Sequence, residues 1–466
     1  MLFKKKEIKK NNYYNQFREA FSVLNVVLWV SVFILWGLFV HTVQGLQFQV
    51  FSFSEADKKP SLLSQIWSAI SWEREVKVQN NTYILVTGRG GWNHEWANLT
   101  DSILLLWINY KKELIAFLSF PRDLYVDFPW TLQHGRINAV YQSFLHLWHE
   151  EAIWKLKEVA YNVTGIQADY SVDVDFEGFV QIIDALWGVE VTLENDFIDH
   201  RFPNDNFWYQ TFRLNKWTWN LDGRVALMYA RSRYSTSDFD RGLRQQQIIS
   251  WARKKISELG YIRDRRTIME LYEIVRDNLT TDIPLTEMVR IGLALRSWDN
   301  TEILNANYHD NCRRWWVCES GGFLYTPFRD EFWWQSILLP NWAFRWRHSE
   351  YQRTRQFADV VFMYPEVLLN PTEVQIYNAT NRWWYASSLA DYLLPLGFSI
   401  DRLTWLHNLR EKDFENSIIH YNNVDVNDIT LQSLKSILNI EAEKNSILFD
   451  DNQSWIKIIL ADFDTF

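Results

Sequence analysis

Glycine is scarce in this chain: 16 occur in 466 residues, where ordinary usage of about 7% would give roughly 33. Chain reversals that need positive φ normally draw on glycine, so the shortage raises the question of what stands at the turns. Cysteine is scarcer still. Cys312 and Cys318 are the only two, which leaves either free thiols in a reducing compartment or one small disulfide loop in an oxidising one. Basic residues are not in excess: 48 Lys and Arg face 57 Asp and Glu, for a net charge of −9. That balance gives no general attraction for nucleic acid, and no nucleic-acid partner is expected. Several catalytic signatures are also missing. Gly88-Arg-Gly-Gly91 is not followed by Gly-Lys-Ser/Thr and is no P-loop; no Gly-x-Ser-x-Gly elbow and no His-Glu-x-x-His zinc site occurs.

Tryptophan, by contrast, is abundant, with 26 residues. Many stand in doublets or turn-like settings: Phe128-Pro-Trp130, Leu186-Trp-Gly188, Lys216-Trp-Thr-Trp-Asn220, Arg313-Arg-Trp-Trp316 and Asn381-Arg-Trp-Trp384. A bulky indole is a poor choice where the chain must reverse. One reading is a carbohydrate-binding surface, since indole faces stack on sugars. The other is that UGA codons read as glycine in the cell are written here as tryptophan, which the turn and doublet positions favour. Apolar settings such as Trp29 suit a genuine indole.

Residues Phe21–Val43 carry no charged side chain and have the length of a membrane-spanning helix. The lysine-rich Met1–Lys10 before them predicts a cytoplasmic N-terminus. A cleaved signal peptide is the alternative, but the apolar run is longer than its usual core and no small-residue cleavage site follows at His41–Gln47. The expected topology is a single-pass anchor in the cell membrane with everything after about residue 44 extracytoplasmic. In that compartment a Cys312–Cys318 disulfide is expected.

Downstream, 52–80 reads as a polar stalk. Tyr83–Thr87, Ile103–Ile108 and Leu114–Phe120 read as buried strands, and Asp101 and Arg122 would emerge close together if the last two pair. Asp101 alone also suits a turn cap. Tyr170–Phe176 alternates like a half-buried strand, helices follow from Arg136 and Phe179, and His200–Trp219 reads as a long polar, aromatic loop. Strands and helices mix without a strict βαβ repeat, so the expected fold class is α/β: an α-β-α sandwich with a mixed central sheet rather than a doubly wound one.

Leu221–Gln247 draws these pieces together. An extended Arg231-Ser-Arg233 would aim both guanidinium groups one way. A helix beginning near Asp238 would set Arg241 and Gln245 on one face, with Ile248, Ile249, Ala252, Ile256 and Leu259 as its apolar stripe. Arginines beside a helix N-terminus suit a phosphate or pyrophosphate; a solvated basic face is the plainer alternative.

The order Asn98-Leu-Thr-Asp-Ser-Ile, Pro121-Arg-Asp, Arg136-Ile-Asn-Ala-Val-Tyr, Val174-Asp-Phe-Glu-Gly-Phe-Val, Ala185-Leu-Trp-Gly-Val-Glu-Val and Tyr229-Ala-Arg-Ser-Arg with Asp238-Phe-Asp-Arg-Gly-Leu-Arg-Gln-Gln closely resembles the LytR-CpsA-Psr family over about residues 80–260. The resemblance implies a membrane-anchored bacterial enzyme with an extracytoplasmic α-β-α domain. Such enzymes transfer a phosphorylated glycopolymer from a polyprenyl-pyrophosphate lipid to peptidoglycan, with Mg²⁺. Carried over by position, Asp101 is similar to the family's metal-binding aspartate. Arg122, Arg231, Arg233 and Arg241 resemble its pyrophosphate-binding arginines, with Gln245 beside them, and these five charged residues are the implied catalytic set. The family shows Gly-Gly where this chain has Trp187-Gly188, and Pro-Gly where it has Pro129-Trp130. Two departures stand out: Gly90 replaces the family's first aspartate, with His94 or Glu95 as candidate substitutes, and Leu99 stands where an arginine is common.

A lipid donor needs an apolar tunnel, which the faces around Val172–Leu186 would line unless they are ordinary core. The expected organisation is a cytoplasmic tail (1–20), the span (21–43), a stalk (44–80), the catalytic domain (81–300), a Cys-loop segment and solvated arginine-rich linker (301–371), and a small C-terminal α/β accessory domain (372–466). A polyprenyl-pyrophosphate hydrolase and a non-catalytic wall-binding or regulatory protein are the alternatives.

Overall fold

The computed structural model describes residues 81–90, 98–203, 208–232, 238–258, 279–284 and, with gaps, 287–461. The expected tail, membrane span and stalk lie outside the described residues, as do Asn93, His94, Glu95 and Arg233. Among the described residues no helix is long and apolar enough to cross a membrane.

In chain order, β1 (Asn81–Arg89), β2 (Thr100–Asn109) and β3 (Leu114–Phe120) come first, followed by β4 (Tyr125–Asp127) and β5 (His134–Arg136). Helices α1 (Asn138–Phe144) and α2 (His149–Thr164) precede β6 (Tyr170–Asp175) and α3 (Phe176–Ala185). Next come β7 (Val189–Thr192), β8 (Phe197–Pro203), β9 (Tyr209–Leu214) and β10 (Thr218–Leu221), then α4 (Gly223–Arg231) and α5 (Asp238–Glu258). Strand β11 (Leu279–Thr281) and β12 (Glu302–Asn307) close this series.

The segment expected to be a long loop before Leu221 is thus mostly strand. Strands β8 and β9 form an antiparallel hairpin, and β10 pairs with β7. Period-2 burial explains the difference: Phe197, Phe202, Phe212, Leu214 and Leu221 all turn into one core with Val189 and Val191, and the polar residues between them mask the pattern.

Two compact units are interleaved along the sequence. The first takes the chain up to Asn98, Ile108–Ile115 and Asp169–Ile303; the second takes Leu99–Trp107, Ala116–Ala168 and Leu304–Phe466. In the first, the strand order is β11-β6-β1, with β6 parallel to β1 and antiparallel to β11. The sheet is therefore mixed, and the expected mixed α/β class is what the structure shows. Helices α3 and α4 are N-capped by Asp175 and Asp222, whose side chains accept from Gly178 and Val225 N–H at 2.8 Å. They pack closely because Gly223 has no side chain; a Cβ there would collide with the Val180 carbonyl.

In the second unit β2, β3 and β12 are neighbours in that order, and all seven residues of β3 are buried. A small sheet follows from β13 (Cys312–Arg314), β14 (Val317–Cys318), β15 (Leu324–Tyr325) and β16 (Leu339–Pro340). Cys312 is buried, and its register partner across β13 and β14 is Cys318.

The arginine-rich stretch expected to be solvated linker is instead helical over α6 (Gln352–Met363), and it buries Arg353, Thr354, Phe357, Ala358 and Val360–Phe362. Arg353 sits 3.8 Å over the Tyr392 ring and donates to the Tyr392 carbonyl at 2.6 Å; a guanidinium on an aromatic face tolerates burial that its charge alone would forbid. Helix α6 also finishes α2. Thr354 Oγ1 donates to the Val163 carbonyl at 2.8 Å, and Arg355 donates twice to the Asn162 carbonyl at 2.8 and 3.0 Å. These donors satisfy the carbonyls that a helix leaves open at its C-terminus.

A further four-stranded sheet, in the order β17 (Val374–Asn378), β20 (Trp455–Leu460), β18 (Ile418–Asn422) and β19 (Ala442–Lys444), is accompanied by α8 (Tyr385–Leu393) and α9 (Ile429–Leu438), after the short α7 (Glu366–Leu369).

Candidate functional site

Asp101 opens β2 and Arg122 follows the end of β3, which are neighbouring strands. Their meeting, expected from pairing of the two strands, is realised: Arg122 Nη1 stands 2.6 Å from Asp101 Oδ1. Arg122 Nε lies 3.8 Å from Asp123 Oδ2, and Arg136 Nη1 lies 3.3 Å from Asp123 Oδ1, so four alternating charges run from strand end to strand end. The side chains are partly accessible, at 34% for Asp101 and 20% for Arg122. The backbone under Arg122 is fixed on both sides. Leu124 N–H donates to the Pro121 carbonyl at 3.0 Å, and Asn138 N–H donates to the Arg122 carbonyl at 3.3 Å. A partly exposed guanidinium on a braced turn, already held by a carboxylate, has little freedom left to lose when it meets an anion.

Arg231 is not on an extended segment. It is the last residue of α4, and its guanidinium carbon lies 4.4 Å from the Phe176 ring centre and 5.8 Å from that of Phe202. The helix wins because Asp222 caps it and Ala226, Tyr229 and Ala230 bury one face. The expected helix start near Asp238 is where α5 begins. Arg241 lies on this helix, but its side chain is outside the described residues. Gln245 is half-buried, with Nε2 3.4 Å from the Ala230 carbonyl.

Composition and spacing gave no hint of Arg244. It is buried, its Nε donates to the Tyr229 carbonyl at 2.9 Å, and its Nη2 donates to the Ser232 carbonyl. Ser232 Oγ in turn donates to the buried Asp199. The residue directly after Arg231 is therefore clamped from two sides. Burial also pushes the Tyr229 hydroxyl pKa up, with Arg244 opposing.

In β6 the phase of burial is the reverse of what the letters suggest. Ser171 and Asp173 are buried, while Tyr170, Val172 and Val174 are only half-buried, and Phe176, Phe179, Val180 and Ile182 of α3 are half-buried too. Asp173 is buried because it is paired: Arg89 Nη2 and Nε approach Oδ2 at 2.5 and 2.7 Å, and Thr87 Oγ1 donates to Oδ1 at 2.6 Å. A carboxylate inside an alternating apolar strand was the signal that the sequence offered for this pair.

Among the described residues no group of three or more His, Cys, Asp or Glu converges on one point. A cation at the strand ends would take one protein carboxylate, Asp101, and complete its shell with water and substrate oxygens. That donor chemistry fits Mg²⁺, which keeps several waters and binds through one or two carboxylates plus phosphates.

The model of the LytR_cpsA_psr family matches residues 49–321, more than half of the chain. The polyisoprenyl-teichoic acid–peptidoglycan teichoic acid transferase TagT of Bacillus subtilis (strain 168) is 27% identical over 211 residues, covering 45% of this chain and 62% of that protein. The regulatory protein MsrR of Staphylococcus aureus (strain COL) is 29% identical over 229 residues, 47% of this chain and 62% of that one. The chain thus spans about three-fifths of the length of these relatives. The crystal structure of B. subtilis TagV aligns over 60% of this chain and 96% of that one, at 21% identity and a TM-score of 0.44.

Proposed function

The chain belongs to the LytR-CpsA-Psr family, and from that premise we propose that it is a membrane-anchored, extracytoplasmic phosphotransferase that moves a glycopolymer from a polyprenyl-pyrophosphate donor to peptidoglycan. The observation that carries this reading is the Arg122–Asp101 pair, at 2.6 Å, on adjacent strand ends. A pyrophosphate needs guanidinium forks to neutralise charge that grows on its oxygens as the bond to the leaving phosphate breaks. Arg122 and Arg231 are the proposed ligands among residues with described side chains; Arg233, Arg241 and Gln245 complete the proposed set. In the reaction an acceptor sugar hydroxyl attacks the phosphorus that bears the glycopolymer. The new O–P bond forms, the bond to the bridging oxygen breaks, the hydroxyl proton is lost, and polyprenyl phosphate departs. Asp101 would hold Mg²⁺, which when bound neutralises phosphate charge. The half-buried apolar side chains of β6 and α3 suit the lipid tail of the donor.

Names of relatives support both outcomes that a test must separate, since TagT is a transferase and MsrR a regulatory protein. Purified protein, lipid-pyrophosphate-linked sugar, Mg²⁺ and a peptidoglycan oligosaccharide form the assay. Release of polyprenyl phosphate that requires the acceptor is expected. Release without acceptor would make the protein a hydrolase, and no release would leave a wall-binding or regulatory role. The sheet of β17–β20 with its helices is proposed as an accessory binding module.

In the proposed extracytoplasmic location the Cys312–Cys318 hairpin would meet an oxidising compartment, and a disulfide is proposed there. Protein isolated without reductant is expected to show no reactive thiol until it is reduced, and then two. Two thiols before reduction would rule the bridge out.

A further inference from the structure

Among the described residues, six other than glycine have positive φ: Glu113, Trp130, Trp187, Trp333, Trp334 and Asn439. Asparagine is a usual occupant of that region, but a bulky side chain there is a genuine outlier. Four of the six are tryptophan, so what needs explaining is one residue type rather than strain in general.

Each of the four sits in a turn whose geometry asks for glycine. After α3, Gly188 N–H donates to the Ile183 carbonyl at 3.0 Å and Trp187 N–H to the Asp184 carbonyl at 2.9 Å, with Trp187 at φ 58°. That pair of bonds is the Schellman helix end, and Trp187 holds the left-handed position that glycine normally fills. Between Phe128 and Thr131, joined by a 3.2 Å backbone hydrogen bond, Pro129 precedes Trp130 at φ 63°. Proline followed by a residue of positive φ is the pattern of a type II turn, again with glycine second. Trp333 and Trp334, at φ 49° and 64°, close the 3-10 turn Arg329–Phe332.

Nor are the indoles buried, although Trp130 Nε1 donates to Glu158 at 2.9 Å. Trp130, Trp187, Trp333 and Trp334 are 81, 56, 66 and 77% exposed. Trp107 and Trp455 are different: they lie in β2 and β20, are buried, and have ordinary φ.

We infer that positions 130, 187, 333 and 334 carry glycine in the protein as the cell makes it, their codons being UGA read as glycine, whereas Trp107 is a genuine tryptophan. This accounts for the backbone at the four turns and for part of the glycine shortage and indole surplus, taking glycine from 16 to 20 and tryptophan from 26 to 22. It also removes the exposed indoles at these positions as a sugar-stacking surface.

Mass spectrometry of the protein from its own cells tests the assignment. Trypsin should release Asp123–Arg136 and Asp330–Arg345, which report positions 130, 333 and 334, and a longer peptide reports 187. Glycine at all four with tryptophan at 107 is expected; tryptophan at the four overturns the inference. A second measurement uses recombinant chain. Trp130→Gly, Trp187→Gly, Trp333→Gly and Trp334→Gly together should raise the thermal midpoint by a few degrees over the tryptophan form. No rise, or a fall, would show that the backbone at these turns does not require glycine.

Discussion

Replacing Arg122 by alanine is expected to lower turnover of the lipid-linked donor by about 10²–10³-fold, the usual loss when one preorganised donor to a developing oxyanion is removed. The fold should survive. The turn is braced by backbone bonds from Leu124 and Asn138, neither of which uses the side chain, and a partly exposed ion pair adds little stability. Arg122→Lys should recover part of the rate, because an ammonium restores the charge but not the fork. Asp101→Ala is expected to cost a similar factor, since it removes both the proposed metal ligand and the group that orients Arg122. Asp101→Asn separates these roles by keeping the shape without the charge. Initial rates on the donor, with circular dichroism to verify folding, decide the matter. Wild-type turnover in Arg122→Ala or Asp101→Ala would remove that residue from the site.

The largest effect on stability is expected at Arg89. Its guanidinium holds Asp173 through two nitrogens, and the Asp173 side chain is 1% exposed. Arg89→Ala leaves a buried carboxylate with only the Thr87 hydroxyl, and breaking such a pair costs about 3–5 kcal/mol. Replacing both partners by apolar residues, Arg89→Met with Asp173→Leu, leaves no uncompensated charge and should recover most of the loss. Chemical denaturation of the three chains measures this. A single Arg89→Ala variant as stable as the parent would show that water already screens the pair.

Much of this was legible in the letters. Strands β1 to β3 announce themselves as apolar runs, and Asp101 and Arg122 meet because two adjacent strands end there. What escaped follows from tertiary context. Arg231 joined α4 because Asp222 caps a helix whose buried face lies upstream of the arginines. The β8 and β9 hairpin hid behind polar residues that face outward. Arg353 reads as solvated charge and Arg244 carries no signal of its own, because a sequence does not display the carbonyls and rings that make burial of a guanidinium tolerable. In β6 the alternation was seen correctly and its phase was not, since Asp173 is drawn inward by Arg89.

The finish of α2 also sets a timetable. Its last carbonyls wait for Thr354 and Arg355, and Thr354 lies 191 residues beyond its partner Val163. A ribosome adding about 5–20 residues per second needs on the order of 10–40 s to supply that donor. During this interval the C-terminal turn of α2 is left to solvent, and the apolar face that α6 will cover is open. Folding of the second unit is therefore completed late in synthesis, and a chain cut before α6 would lack both the cap and the cover.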